Sequence, residues 1–372
     1  MSVRIPVLGK DHRRVLRELR ACGPSSRSAL AARLEMSGTA LTKLSRELLT
    51  LEVVEEVNGG GPSRRGRPSV PLRIAPAGGY AVGATAHQGV LDVALIDFAG
   101  GTIAAHSEHI PPINPRDFAE RVRTLTHMLV DRHRLLGRRM LGIGIAVPGP
   151  ALSPAGDRWS VVDALPEWRG APLRAIMADT FGWPLWIEND ANAAALAEFY
   201  LAGLMGKFST IAVLLLGYGI GAGIIVDGRL IRGQHGVAGE VGCLFPIDQP
   251  RPSPLDLLST LRNEGCPISS VAEIDPAAPA QRATIERWMD RAAGQLELVC
   301  NTAFAWFDPG AIVLAGPLPA EILDGLGQRL KRADLVSTIC DRRPPVEVSG
   351  LTGSPITLGA ALLPMHSFSG QI

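Results

Sequence analysis

Thr39, Thr42, Lys43 and Arg46 recur at spacings of three and four, which sets short polar and basic side chains on one face of a helix. Side chains of these types can meet base edges and phosphates in a duplex groove. Arg64, Arg65 and Arg67 follow within GGGPSRRGRPSV, and arginines on a glycine-rich loop can enter a minor groove or clamp phosphates. A second segment invites phosphate chemistry: LGYGIGAG places glycine at 217, 219, 221 and 223. The Lys-Ser/Thr ending of a nucleotide phosphate loop is missing there, so the glycines alone are a weak signal. Five cysteines (Cys22, Cys243, Cys266, Cys300, Cys340) are an odd, dispersed set without a CxxC pair. They form neither a disulfide framework nor a zinc ribbon, and they suit a reducing compartment.

The helix that carries Thr39–Arg46 needs neighbours to hold it. Asp11–Ala21 sets Val15, Leu16 and Leu19 among arginines, a short amphipathic helix that Gly23-Pro24 breaks. Ser26–Leu34 gives a second helix with Leu30, Ala31 and Leu34 on one face. After the turn at Glu35-Met36, Ser37 is a good N-cap for a third helix to about Leu49, whose Leu41, Leu44 and Leu48 face inward. Two short β-like runs, Val53–Val57 and Pro71–Ile74, flank the arginine loop. Three helices and a basic hairpin are the pattern of a winged helix-turn-helix unit spanning 1–75. Two blander readings compete: a basic solvated tail, and a flexible Gly/Pro linker.

Charge distribution favours the first reading. The chain of 372 residues has a formal net charge of +1, which on its face excludes a strongly charged partner. Residues 1–75, however, hold 14 Lys/Arg against 7 Asp/Glu, leaving 23 against 29 in the remainder. A reader of net +7 joined to a body of net −6 points to a nucleic-acid partner for the first segment.

From Gly79 onward, apolar strand-like runs alternate with helical segments. Tyr80–Ala86, Val90–Phe98, Leu141–Val147 and Pro184–Ile187 read as strands, and Phe118–Leu136 and Ala191–Phe199 as helices. This alternation predicts an α/β architecture with ligands near strand ends. Phe208–Val226 is 19 residues without a charge, but its alternate glycines suit a β-hairpin and not a transmembrane helix. Met1–Lys10 shows no apolar core of signal length, so a cytoplasmic protein with no membrane contact is expected.

VPGP at 147–150, ENDANAAALAE at 188–198, LGYGIGAGIIVDGRLIRG at 216–233 and GVAGEVGC at 236–243 occur in one chain, followed by IVLAGPL at 312–318 and SPITLGAA at 354–361. In this order they resemble the ROK family (repressor, open reading frame, kinase), over nearly the whole chain. The resemblance implies an actin-like, ribonuclease-H-like body of two α/β lobes behind the winged helix. The smaller lobe would comprise 76–190 plus 355–372, and the larger lobe, with a dimerisation region, 191–354. The family includes sugar kinases and sugar-responsive transcription factors.

Departures from the family pattern decide between these branches. Where the kinases carry an Asp that helps hold metal–ATP, this chain has Thr85, and His87-Gln88-Gly89 replaces Gly-Gly-Thr. Tyr218 stands in the second phosphate loop, so ATP is not expected, while Asp92 and Asp97 read as strand-flank and turn residues. The family's structural zinc needs one His and three Cys; here the His position is Cys243, expected to be a small buried residue, and Cys266 is isolated. No metal and no cofactor are expected.

The sugar cleft is better kept. Asp190 matches the carboxylate that takes the sugar hydroxyl proton in kinases, with Asn189 beside it; Glu240 corresponds to a second sugar-contacting carboxylate, and Asp256 is a further candidate. The kinases' sugar-binding Asn corresponds to Ala164. Asn189 or Asp190 could instead cap the helix that follows, and Glu240 could pair with Arg229, Arg232 or His235. The expected protein is a sugar-responsive DNA-binding regulator, a repressor, with an operator duplex and a small carbohydrate or sugar phosphate as partners, acting as a homodimer or dimer of dimers. An ATP-dependent sugar kinase with a DNA-binding domain and a ligand-independent DNA-binding protein are the alternatives.

Overall fold

The computed structural model describes residues 8–57, 70–87, 89–153, 158–163, 165–246, 248–333, 335 and 345–368. The wing-tip arginines Arg64, Arg65 and Arg67, together with Gln88, Ala164 and Cys340, lie outside them.

The N-terminal unit forms as its caps dictate. Helix α1 (Lys10–Cys22) stops at Gly23, φ 71°. Ser26 accepts from the Ala29 amide to start α2 (Arg27–Leu34), and Ser37 accepts from the Ala40 amide to start α3 (Gly38–Thr50). Strands β1 (Val54–Glu56) and β2 (Leu72–Ile74) pair antiparallel, with Glu55 opposite Arg73. Val15, Leu16, Leu19, Leu30, Leu41, Leu48 and Leu72 make its buried interior.

Two five-stranded sheets form the body. The first contains β3 (Tyr80–His87), β4 (Val90–Asp97), β5 (Thr102–His109), β6 (Met140–Val147) and β7 (Leu185–Asn189), in the order β5-β4-β3-β6-β7. Its connecting helices are α4 (Pro115–Arg132), whose cap Asn114 accepts from the amides of Arg116 and Asp117, and α5 (Leu173–Phe181). After α6 (Asp190–Leu201) the second sheet repeats the path: β8 (Thr210–Leu216), β9 (Ile220–Val226), β10 (Arg229–Leu230), β11 (Ala311–Ala315) and β12 (Val346–Val348), ordered β10-β9-β8-β11-β12. In each sheet an antiparallel three-strand meander is extended by two parallel strands. The uncharged run at 208–226 is the β8–β9 hairpin, and no helix among the described residues is long and apolar enough to cross a membrane.

Helices α7 (Pro254–Asn263), α8 (Pro279–Phe307) and α9 (Ala320–Arg332) pack among themselves and share the apolar core of the second sheet's outer face. Helix α10 (Pro355–Phe368) lies against β3 and β6 on one side and α6 on the other, while α6 packs on β8 and β9. The approach of α10 to α6 requires Gly359: a Cβ there would stand 1.7 Å from the Ala193 carbonyl oxygen. These two helices thus tie the sheets together through a core that also includes the N-terminal unit's leucines.

That unit is docked on both halves of the body. Arg17 donates to the Asp227 carbonyl (2.7 Å) in the β9–β10 turn. Arg20 donates to the Phe98 carbonyl (2.8 Å), beyond β4, with its guanidinium 5.0 Å above the Phe98 ring centre. Arg139 donates to the carbonyls of Leu51 and Gly78 (3.0 and 3.1 Å).

Candidate functional site

On α3 the pattern of leucines turns a polar face outward. Leu41 and Leu48 are fully buried and Leu44 partly so, while Thr39, Lys43 and Arg46 are exposed. No acidic side chain pairs with Lys43 or Arg46 among the described residues, so both cations are available to a phosphate. Thr42 is half-buried and its hydroxyl donates back to the Gly38 carbonyl (2.7 Å), so it must exchange that bond to reach a base.

The second site forms where parallel strands end together. Thr85 of β3 lies opposite Ala146 of β6, which lies opposite Glu188 of β7; Val147 and Asn189 form the next pair. The carboxyl ends of β3, β6 and β7 therefore meet at one rim, the usual ligand position of an α/β sheet.

At this rim Asn189 is the cap of α6. Its Oδ1 accepts from the amides of Ala191 (2.9 Å) and Asn192 (3.1 Å), and its Nδ2 donates to the Gly149 carbonyl (3.1 Å). With both ends of the amide engaged by backbone, Asn189 positions the loop and helix, the capping alternative. Asp190 follows as the first helical residue and is 8% exposed. Its Oδ1 accepts from the Ala191 amide (2.8 Å), and no cation pairs with it among the described residues. Burial pushes its carboxyl up from 3.8 to about 7 against the pull of that amide, and the charge of Glu240 adds to the rise.

Glu240 is placed by the glycine before it. Gly239 has φ +91°, a Cβ on it would stand 1.8 Å from the Ala222 carbonyl, and its own carbonyl accepts from the Ala222 amide (2.8 Å). The AGE loop is thereby laid against β9, bringing Glu240 within electrostatic reach of Asp190; burial raises the Glu240 carboxyl too.

Arg232, which the sequence offers as a partner for Glu240, pairs instead with Glu188. Arg232 Nε and Nη2 lie 2.8 and 2.7 Å from Glu188 Oε2, while Glu188 Oε1 accepts from the Asn189 amide and Asn192 Nδ2 (3.0 Å each). Glu188 is 5% exposed, and this pair stiffens the floor beneath Asp190. Sequence reasoning missed it, although an acid inside an otherwise apolar buried strand demands a cation.

Asp256 sits in the first turn of α7 with its carboxylate held by Trp288 Nε1 (2.6 Å) and Arg291 of α8. Those bonds tie α7 to α8, and nothing in them brings Asp256 to Asp190. Thr85 is fully buried and its hydroxyl donates to the Ala146 carbonyl (3.0 Å). His87 is buried, with ring centres 4.5 Å from Tyr218, and burial drops its pKa to about 4, leaving a neutral imidazole. Asp97 accepts from the amides of Ala99 and Gly101 in the β4–β5 turn, and Asp92 pairs with Ser107 on β5. Cys243 is exposed, contrary to its expected burial, because it falls in the one-turn helix 241–244 after the AGE loop. His235 is exposed as well. Among the described residues no three His, Cys, Asp or Glu side chains converge as metal ligands.

Two similarly wound sheets, linked by helices and carrying a buried carboxylate at the strand ends, define the actin-like, ribonuclease-H-like class. Within that class the chain belongs to the ROK family, which it matches over residues 82–267. The protein y4fQ of Sinorhizobium fredii, itself uncharacterised, is 30% identical over 319 residues, 86% of this chain and 81% of its own. A xylose repressor of Caldicellulosiruptor bescii is 32% identical over 220 residues, 58% of this chain and 54% of its own. The crystal structure of a ROK family transcriptional regulator, homologous to the Escherichia coli MLC protein, superposes with a TM-score of 0.67 at 21% identity, covering 97% of each chain.

Proposed function

We propose that this protein is a cytoplasmic transcriptional repressor that binds an operator through α3 and its wing and responds to a small carbohydrate, or its phosphate, at Asp190. The observation that carries the reading is a polar helix face, free of acidic partners among the described residues, on a unit docked onto a body that keeps a buried carboxylate at its strand rim. The likeness in fold to a ROK regulator along almost the whole chain supports it, as does the sequence likeness to a xylose repressor.

Asp190 accepts hydrogen bonds from a sugar hydroxyl, with Glu240 as the second acceptor, while Asn189 and the Glu188–Arg232 pair fix the geometry. Asp256 acts from a distance by holding α7. The ligand favours one lobe arrangement, and it shifts DNA affinity only by its differential affinity for the two arrangements. Two copies read two half-sites, because one short helix reads few bases.

ATP has no place in this reading. A hydroxyl spent on Ala146 stands where metal–ATP needs an acid, and a neutral imidazole tilted against Tyr218 stands where small residues must admit phosphate. Zinc is also left out of this reading: Cys243 is exposed, and among the described residues no set of ligands converges on it.

The test is operator binding by purified protein, followed by fluorescence anisotropy across a panel of sugars and sugar phosphates. Wild type should release DNA with one of them, and Asp190→Ala should bind the operator normally but ignore that sugar. Equal sugar sensitivity in both proteins would sink the assignment. One observation favours a second reading, a sugar kinase: a carboxyl titrating at about 7 suits a general base. ATP-dependent sugar phosphorylation, lost in Asp190→Asn, would establish that alternative.

A further inference from the structure

A cavity of about 810 Å³ opens between the two halves of the body, within the range of small-molecule sites. Neither Asn189, Asp190 nor Glu240 lines it. Most of its wall is apolar, with Ile110 and Pro111 from the first half and Leu255, Leu258 and Val271 from the second; Ser269, Ser270 and Ser354 add hydroxyls, and the His87–Tyr218 aromatic pair stands at one end.

The charges around it limit what can enter. Among the described residues that line the cavity there is no lysine or arginine, and Asp92 is the one carboxylate. A phosphate entering here would meet no lysine or arginine, only His109 at the mouth and the buried His87, and would bring its charge toward an acid, a combination that burial penalises. His87 offers no compensation: it is 7% exposed and neutral, and its Nε2, which has no hydrogen-bond partner among the described residues, is packed against Gly217. The aliphatic walls favour an apolar body, and a tilted imidazole–phenol pair favours a flat ring that can pack on it.

We infer that this cavity is a second ligand site, built for an uncharged, largely apolar aromatic molecule and distinct from the polar site at Asp190. Its walls come from both halves of the body, so its occupant bridges them. The site stands whether or not the carbohydrate reading holds.

N-phenyl-1-naphthylamine, a neutral dye that brightens in apolar surroundings, tests the inference on the full-length protein. Wild type should bind it saturably at one site per chain, and millimolar Mg-ATP should not displace it. Leu255→Glu, a partly exposed wall position, and Val271→Trp, which fills the space, should each weaken binding by about tenfold or more. Leu152→Glu, an apolar exposed position away from the cavity, should bind as wild type does, with melting temperatures recorded for all four proteins. Absence of saturable binding, displacement by ATP, or unchanged affinity in both wall variants with native-like melting would overturn the site.

Discussion

Replacing Asp190 by asparagine deletes one buried charge while keeping the side-chain shape and an oxygen for the Ala191 amide. In the native protein the Asp190 carboxyl is raised from 3.8 to about 7, burial being the main cause. The unfolded chain ionises it at the ordinary value, so the two states part company between those values. Below about pH 4 both are protonated and the native state keeps the full contribution. As pH rises toward about 7 the unfolded state ionises first, and native stability falls by about 1.4 kcal/mol per pH unit from this group. Above about 7 both states are ionised and the loss levels off on the order of 4 kcal/mol. The neutral amide of the variant escapes that loss, and the titration of Glu240, present in both proteins, largely cancels in the comparison. Urea denaturation of wild type and Asp190→Asn at a series of pH values reads the difference directly. The variant should be the more stable protein at about pH 8, with the gap closing toward about pH 4. Parallel stability curves for the two proteins would refute the claim that Asp190 is buried against its charge. A variant that gains stability and loses the sugar response would show that the carboxylate is retained for binding and not for folding.

Gly239→Ala, forced into a positive φ with its Cβ on the Ala222 carbonyl, should lose on the order of 2–4 kcal/mol by denaturation and weaken ligand binding through Glu240. Arg20→Ala removes a guanidinium from the carbonyl and ring of Phe98 and should cost on the order of 1–3 kcal/mol; calorimetry should show the N-terminal unit melting ahead of the body. Lys43→Ala and Arg46→Ala should each weaken operator binding and reduce its log–log salt slope by about 1 if each meets a phosphate, which titration at several salt concentrations checks. Thr85→Asp puts a carboxylate into a fully buried position and should lower the melting temperature without conferring ATP hydrolysis.

The helices of the N-terminal unit were legible because serine caps, a glycine stop and leucine spacing are local signals. The β8–β9 hairpin was legible for a similar reason: alternate glycines veto a helix over any span of that length. What stayed hidden depends on distance in space. Nothing local tells that Arg232 crosses 44 positions to reach Glu188 and leaves Glu240 without it. Asn189 carries the same letters whether or not it caps a helix, and only the amides of Ala191 and Asn192 and the Gly149 carbonyl against its side chain show the cap. Asp256 follows the same rule, since Trp288 and Arg291 approach from another helix. Cys243 was expected inside from its residue type, yet a one-turn helix after the AGE loop carries it to the surface. Strand β5 went unread because, as an edge strand, it buries little and carries weak apolar alternation.

The docking of α1 has a mechanical corollary. One helix, 13 residues long, grips the β9–β10 turn of the second half through Arg17 and the rim of the first half through Arg20, with Arg139 adding a strut beside it. Such a helix bridges the two halves. If the halves rotate, it cannot follow both, and one grip must slip while the other carries α3 along. A small rotation in the body then becomes a displacement of α3 multiplied by its lever arm. In such a rotation, which arginine lets go would set the direction in which α3 swings.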